Sequence, residues 1–117
     1  MQVANWEAIP RERLTETLER QVIWGEHVTM ARFHLGKGTH IALHKHESEQ
    51  LTTVLSGALK LDIAGQVVTV RPGEVLVIPA WAEHEAWAVE DSVVLDVFSP
   101  PRTDWQAGQH GYLQGKK

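Results

Sequence analysis

Cysteine is absent from the sequence. Disulfides and thiolate metal sites are excluded with it, so any metal held by this chain takes nitrogen and oxygen ligands. No apolar run approaches the ~18 residues of a membrane span. The first residues, MQVANWEAIPRERL, carry charges where a signal peptide needs an apolar stretch. No membrane partner is expected, and a cytoplasmic location is. Basic stripes are also missing: the net charge is -4 with both signs interspersed, which argues against nucleic acid as a partner.

What remains is ordinary globular composition, 43% hydrophobic and 22% charged, in 117 residues, the size of one domain with a real core. Short apolar, β-branched runs recur between turn residues. Val28–Leu35 alternates, with Met30, Arg32 and His34 on one face and Ala31, Phe33 and Leu35 on the other. Ala58–Ile63 alternates as Leu59, Leu61 and Ile63 against Lys60 and Asp62, and Ala64-Gly65-Gln66 turns it into Val67–Val70. Further strands are expected at Gln21–Trp24, His40–His46, Leu51–Leu55, Val75–Ile78, Glu83–Val89 and Val93–Phe98, with a short one near Val3–Trp6. The charged segment Arg11–Arg20 has too few apolar positions for a helix. Nine or ten strands with turns every 8–12 residues predict an all-β sandwich or barrel.

The organising stretch is GTHIALHKHESEQLTTVLSG, Gly38 to Gly57. On a strand, His44 and His46 would share one face, roughly 6.5–7 Å apart, and their imidazoles could converge on one metal ion. His84, in PAWAEHEAW, is a candidate third ligand. Otherwise one of the paired histidines is a surface residue. His40 shares their parity and is placed at the rim or surface.

Both clusters match the paired motifs of the cupin superfamily. Gly38, His44-x-His46, Gln50 and Gly57 stand at the spacing of the first motif, and Gly73, Pro79-x-Trp81 and His84 at that of the second. The resemblance implies a single-domain cupin jelly-roll β-barrel with His44, His46, Gln50 and His84 on one divalent transition metal ion: nickel, zinc, iron or manganese. Gln50 stands where the general pattern has Glu, Trp81 where it has Gly, and Ala88 where Asn is frequent. A neutral Gln ligand leaves the full charge of a divalent ion at the site, which favours Lewis-acid over redox chemistry.

HKHESEQ, VLSGALKLDIAG, PGEVLVIPAWAEH and LDVFSPPRTDW resemble, more narrowly, the pectin-degradation cupins, which open the ring of 4,5-unsaturated uronates. This resemblance implies a sugar-acid substrate and catalytic roles for Asp96, Phe98 and Arg102. By analogy it also implies a homodimer. From the residues themselves, 1–25 read as an N-terminal arm, 26–99 as the barrel core and 100–117, with Pro100-Pro101, three glycines and two terminal lysines, as a loosely held tail in which Trp105 and Tyr112 suggest docking; by the same analogy the arm is a candidate for a dimer-exchange strand.

On physical grounds Asp96 lies within VVLDVF and should be partly buried, either as a general base or as a structural carboxylate with satisfied hydrogen bonds. Arg102, stiffened by Pro100-Pro101, is either a carboxylate clamp or a solvated charge. Trp81 and Trp87 bracket His84 as core, pocket wall or a surface on which a sugar ring stacks. The expected activity is ring opening to linear 5-keto-4-deoxyuronate. The alternatives are a metal-dependent dioxygenase and a non-catalytic metal- or sugar-binding protein.

Overall fold

In a computed structural model of the chain, residues 1–115 are described. A 3₁₀ turn at Trp6–Ala8 precedes ten strands: β1 (Glu12–Thr15), β2 (Leu18–Trp24), β3 (Thr29–Leu35), β4 (His40–His44), β5 (Glu49–Ser56), β6 (Leu59–Ile63), β7 (Gln66–Val70), β8 (Val75–Ile78), β9 (His84–Ala88) and β10 (Ser92–Ser99). A short helix α1 (Thr103–Gln106) and a 3₁₀ turn (Gly111–Gln114) end the chain. Six strands pair in the order β1-β2-β3-β10-β5-β8 and four in the order β4-β9-β6-β7. This is a jelly roll. Its two sheets close on each other by side-chain packing rather than by one continuous hydrogen-bond ladder.

Alternation decides what lies between the sheets. In β3, Ala31, Phe33 and Leu35 are buried; in β6, Leu59 and Leu61; in β10, Val94, Asp96 and Phe98. Each large apolar side chain moved out of water contributes about 1.5–3 kcal/mol before chain entropy is counted. Arg32 and His34, on the opposite face of β3, lie outside the sandwich. There Gln21 donates to the carbonyls of Trp6 and Ile9 at 2.7 and 2.8 Å and also contacts His34 Nε2.

The expected strand at Val3–Trp6 does not form. Asn5 instead caps the 3₁₀ turn, accepting from the Glu7 N–H at 2.9 Å. The charged segment after Pro10 supplies β1 and the start of β2. Charge hid this strand, because Arg20 points inward and is 4% exposed. It donates to both Glu12 carboxylate oxygens and lies 4.5 Å from the Trp105 ring centroid. The tail is likewise part of the packing. Trp105 and Leu113 are buried, and Trp105 meets Phe33 and Phe98 edge-on at 6.0 and 5.2 Å between centroids.

Candidate metal centre

Three histidines meet at one end of the sandwich, although not by the route that strand parity suggests. β4 ends at His44, which pairs with His84 on β9, and its register shifts between Ile41 and His44. That irregularity turns His40 outward, where it binds Glu85 and stacks on Trp87 despite sharing parity with His44. His46 lies beyond the strand, in the bend leading to β5. One ring nitrogen from each of His44, His46 and His84 lies within 4.8 Å of the others.

Each ring is oriented by the backbone. The Nδ1–H groups of His44, His46 and His84 donate to the carbonyls of Ala42, Ser48 and Ala82 at 2.8, 2.9 and 2.8 Å. Nε2 is therefore the unprotonated atom in the neutral rings. The rings stay neutral because burial opposes their charge. It depresses His44 to about 3, helped by the neighbouring His84, and His46 to about 4, helped by Arg102. His84 is shifted down by the same burial. Its Nε2 is buried with no hydrogen-bond partner among the described residues.

Gln50, 6% exposed on β5, completes the cluster. Its Nε2 donates to Thr52 Oγ1 at 2.9 Å, and Thr52 donates in turn to Asp96 Oδ1 at 2.6 Å. This chain of donors directs the Gln50 oxygen toward His46 Nε2, 3.0 Å away. Two lone pairs thus face each other beside the orphaned Nε2 of His84. That arrangement is unfavourable by itself and suited to a cation. The residues fit a divalent transition metal with nitrogen and oxygen ligands.

Asp96 lies behind this cluster, 7% exposed. Burial raises its pKa to about 6, against the hydrogen bonds from Thr52 and Gln50 and the charge of Arg102. Phe98 is buried and meets the His46 ring edge-on at 5.6 Å. Arg102 is 2% exposed, so it is not a solvated charge. Its Nε and Nη2 donate to Asp104 at 3.0 and 2.7 Å, and Nη2 also donates to the Tyr112 hydroxyl at 2.7 Å. Burial opposes its charge, but these acceptors outweigh that and hold its pKa above the ordinary value.

Sequence reasoning missed three participants. Thr52 links Gln50 to Asp96 and shares parity with Gln50, a signal that could have found it. Asp104 neutralises Arg102. Tyr112 stacks on His44 at 4.0 Å between centroids, and its hydroxyl accepts from both Arg102 and Trp105. Nothing in the sequence places Tyr112 over a histidine that lies six strands earlier in the chain. The cavity lined by His44, Gln50, His84, Asp96, Arg102 and Tyr112 has a volume of about 40 Å³. One feature of the rim is strained. Trp81 has φ +64, in the left-handed region, at a cost of roughly 1–2 kcal/mol for a residue with a side chain.

Comparison with known proteins agrees with this architecture. The chain is 29% identical over 99 residues to the pectin degradation protein KdgF of Dickeya dadantii (strain 3937), covering 82% of this chain and 90% of that one. The solved structure of KdgF from Halomonas sp. superposes with a TM-score of 0.79 at 26% identity, covering 85% of this chain and 93% of that chain. An RmlC-like cupin from Shewanella frigidimarina NCIMB 400 superposes with a TM-score of 0.81 at 22% identity, covering 87% and 93%, and shows the shared fold. The cupin-domain family matches residues 31–98. That segment is more than half of the chain and runs from β3 to Phe98 on β10, with His44, His46, Gln50 and His84 inside it; this protein belongs to the cupin family.

Proposed function

We propose that this cupin opens the ring of 4,5-unsaturated uronate monosaccharides to linear 5-keto-4-deoxyuronate. The observation that carries the reading is the connected set of the three-histidine cluster, Gln50, Thr52 and a buried Asp96 beside Arg102, in a chain similar over most of its length to a pectin degradation protein. His44, His46, Gln50 and His84 would hold one divalent transition metal ion, which when bound would supply Lewis-acid polarisation of substrate oxygens.

The steps assigned to the chain's own residues are proton transfers and positioning. Asp96 takes the proton of the anomeric hydroxyl. The C1–O5 bond breaks as the C1 carbonyl forms, and the bonding pair leaves on O5 as the enolate of C5. Protonation at C4 then gives the ketone, so one proton leaves oxygen, one arrives at carbon, and no electrons are exchanged with a cofactor. A carboxyl with a pKa of about 6 is poised both to take and to return a proton near neutral pH. Arg102 meets the substrate carboxylate in exchange with Asp104, and Phe98 walls the cavity. The protein is further proposed to act as a cytoplasmic homodimer; among the described residues no helix is long and apolar enough to cross a membrane.

The test follows the ultraviolet absorbance of the conjugated double bond when metal-loaded protein is added to the monosaccharide products of pectin or alginate lyases. Loss well above the spontaneous rate, abolished by chelation and by Asp96→Ala, is the expected result. Loss at the spontaneous rate in metal-loaded protein rejects the proposal and directs the next experiment to oxygen uptake.

A further inference from the structure

We propose that Trp81 is the stacking platform of an outer saccharide subsite at the mouth of the sandwich, through which a sugar ring passes to the inner cavity. The inference rests on the uronate reading for the class of ligand only. Its starting point is a conflict between backbone and side chain. Trp81 lies in the turn between β8 and β9 with φ +64, where glycine is the unstrained residue. The turn needs only the Trp81 backbone N–H, which donates to the His46 carbonyl at 2.8 Å, and any residue but proline supplies that. Packing does not require the indole either, since Trp81 is 60% exposed. A large aromatic side chain held in a disfavoured backbone conformation and left in water serves something outside the fold.

The surroundings indicate what it serves. Beside Trp81 is an open cavity of about 360 Å³ that reaches His46 and Tyr112. The inner cavity, which reaches Asp96 and Arg102, is much the smaller of the two, at about 40 Å³. A monosaccharide therefore first meets the outer cavity, and Tyr112, which lines both, stands between them. The outer walls suit a sugar acid. Trp81 offers an apolar face for the C–H side of a pyranose, and Lys45 offers a cation for its carboxylate. Glu47, Thr103 and Gln109 offer hydrogen-bonding groups for ring hydroxyls.

The experiment uses the zinc-loaded full chain and the unreactive sugar acid D-galacturonate. Of the five tryptophan indole N–H resonances in a ¹⁵N spectrum, the one missing from Trp81→Gly belongs to Trp81, and it should shift as D-galacturonate is added. Trp81→Gly should raise KM for the unsaturated uronate about tenfold, the worth of one lost aromatic stack. Trp81→Phe should keep KM within about threefold. The Trp81→Gly protein should unfold at an unchanged or higher temperature, because its turn is relieved of strain. An unmoved Trp81 resonance in excess D-galacturonate, or a Trp81→Gly KM within about twofold of the parent, overturns the proposal. If the parent protein opens no uronate ring, that counts against the uronate reading alone, and the Trp81 resonance still decides the subsite.

Discussion

The side-chain oxygen of Gln50 lies 3.0 Å from Nε2 of His46, and each atom presents a lone pair to the other. Both orientations are enforced from behind, Gln50 by its bond to Thr52 and His46 by its bond to the Ser48 carbonyl. Metal binding should therefore stabilise the fold by removing a repulsion as well as by forming bonds. Added zinc or nickel should raise the unfolding temperature of chelated protein. In His84→Ala the rise should vanish, together with bound metal measured by elemental analysis.

Asp96 is the group whose removal should separate chemistry from folding. Its raised pKa makes the sign definite: the folded state disfavours the ionised form, so its contribution is favourable below the ordinary carboxylate range and is lost as pH rises through about 6. Asp96→Asn should leave stability at pH 8 unchanged or higher. Turnover should fall about a hundredfold to ten-thousandfold, the span of general acid–base catalysis. Urea titration and the ultraviolet ring-opening assay check the two halves.

The histidines titrate in the opposite sense. His44 and His46 are depressed to about 3 and 4, chiefly by burial, so between pH 6.5 and those values the unfolded chain binds more protons than the folded one. Their contribution is present above pH 6.5 and is lost as pH falls through that window. Chelated protein should lose urea resistance steadily from neutral pH toward pH 4, and His44→Asn should flatten the slope. A slope identical in parent and variant would contradict the assignment.

Tyr112 ties the tail to the site through one oxygen, which accepts from Arg102 Nη2 and Trp105 Nε1. Tyr112→Phe leaves the ring on His44 but strands the indole N–H, at a cost of about 1–3 kcal/mol. A lowered unfolding midpoint with unchanged metal content is the expected outcome of denaturant titration.

Gly57 closes the turn from β5 into β6 with φ +88, and a Cβ there would stand 2.3 Å from Ser92 Oγ and 2.4 Å from the Asp91 carbonyl oxygen. Gly57→Ala combines backbone strain with a backbone clash and should destabilise by more than about 2 kcal/mol, visible as reduced soluble yield and a lower melting temperature.

Legibility followed how local the cause was. Alternation put Leu59, Leu61 and Ile63 on an inward face and set Ala31, Phe33 and Leu35 apart from Arg32 and His34, because strand periodicity is a property of consecutive residues; the structure buries all of these apolar positions but Ile63, which is half-buried. Where an inward position carries charge, as Arg20 does, the same pattern misleads. Its partners are Glu12, across the β1–β2 hairpin, and Trp105, remote in sequence, and these make its burial tolerable. His40 stands at the surface, as expected from the sequence, and the register shift on β4 is what separates it from His44 despite their shared parity.

By composition and short-range periodicity the sequence by itself determined an all-β sandwich or barrel and a site confined to nitrogen and oxygen donors, and its resemblance to the cupin motifs implied the jelly roll and the grouping of His44, His46, Gln50 and His84. Only the tertiary structure decided what surrounds that cluster. Thr52 joins Gln50 to Asp96, Asp104 takes the guanidinium of Arg102, Tyr112 lies over His44, and tail residues line the inner cavity. The meetings of Thr52 with Asp96 and of Tyr112 with His44 join strands and segments far apart in the chain, and they are set by packing that no local pattern encodes.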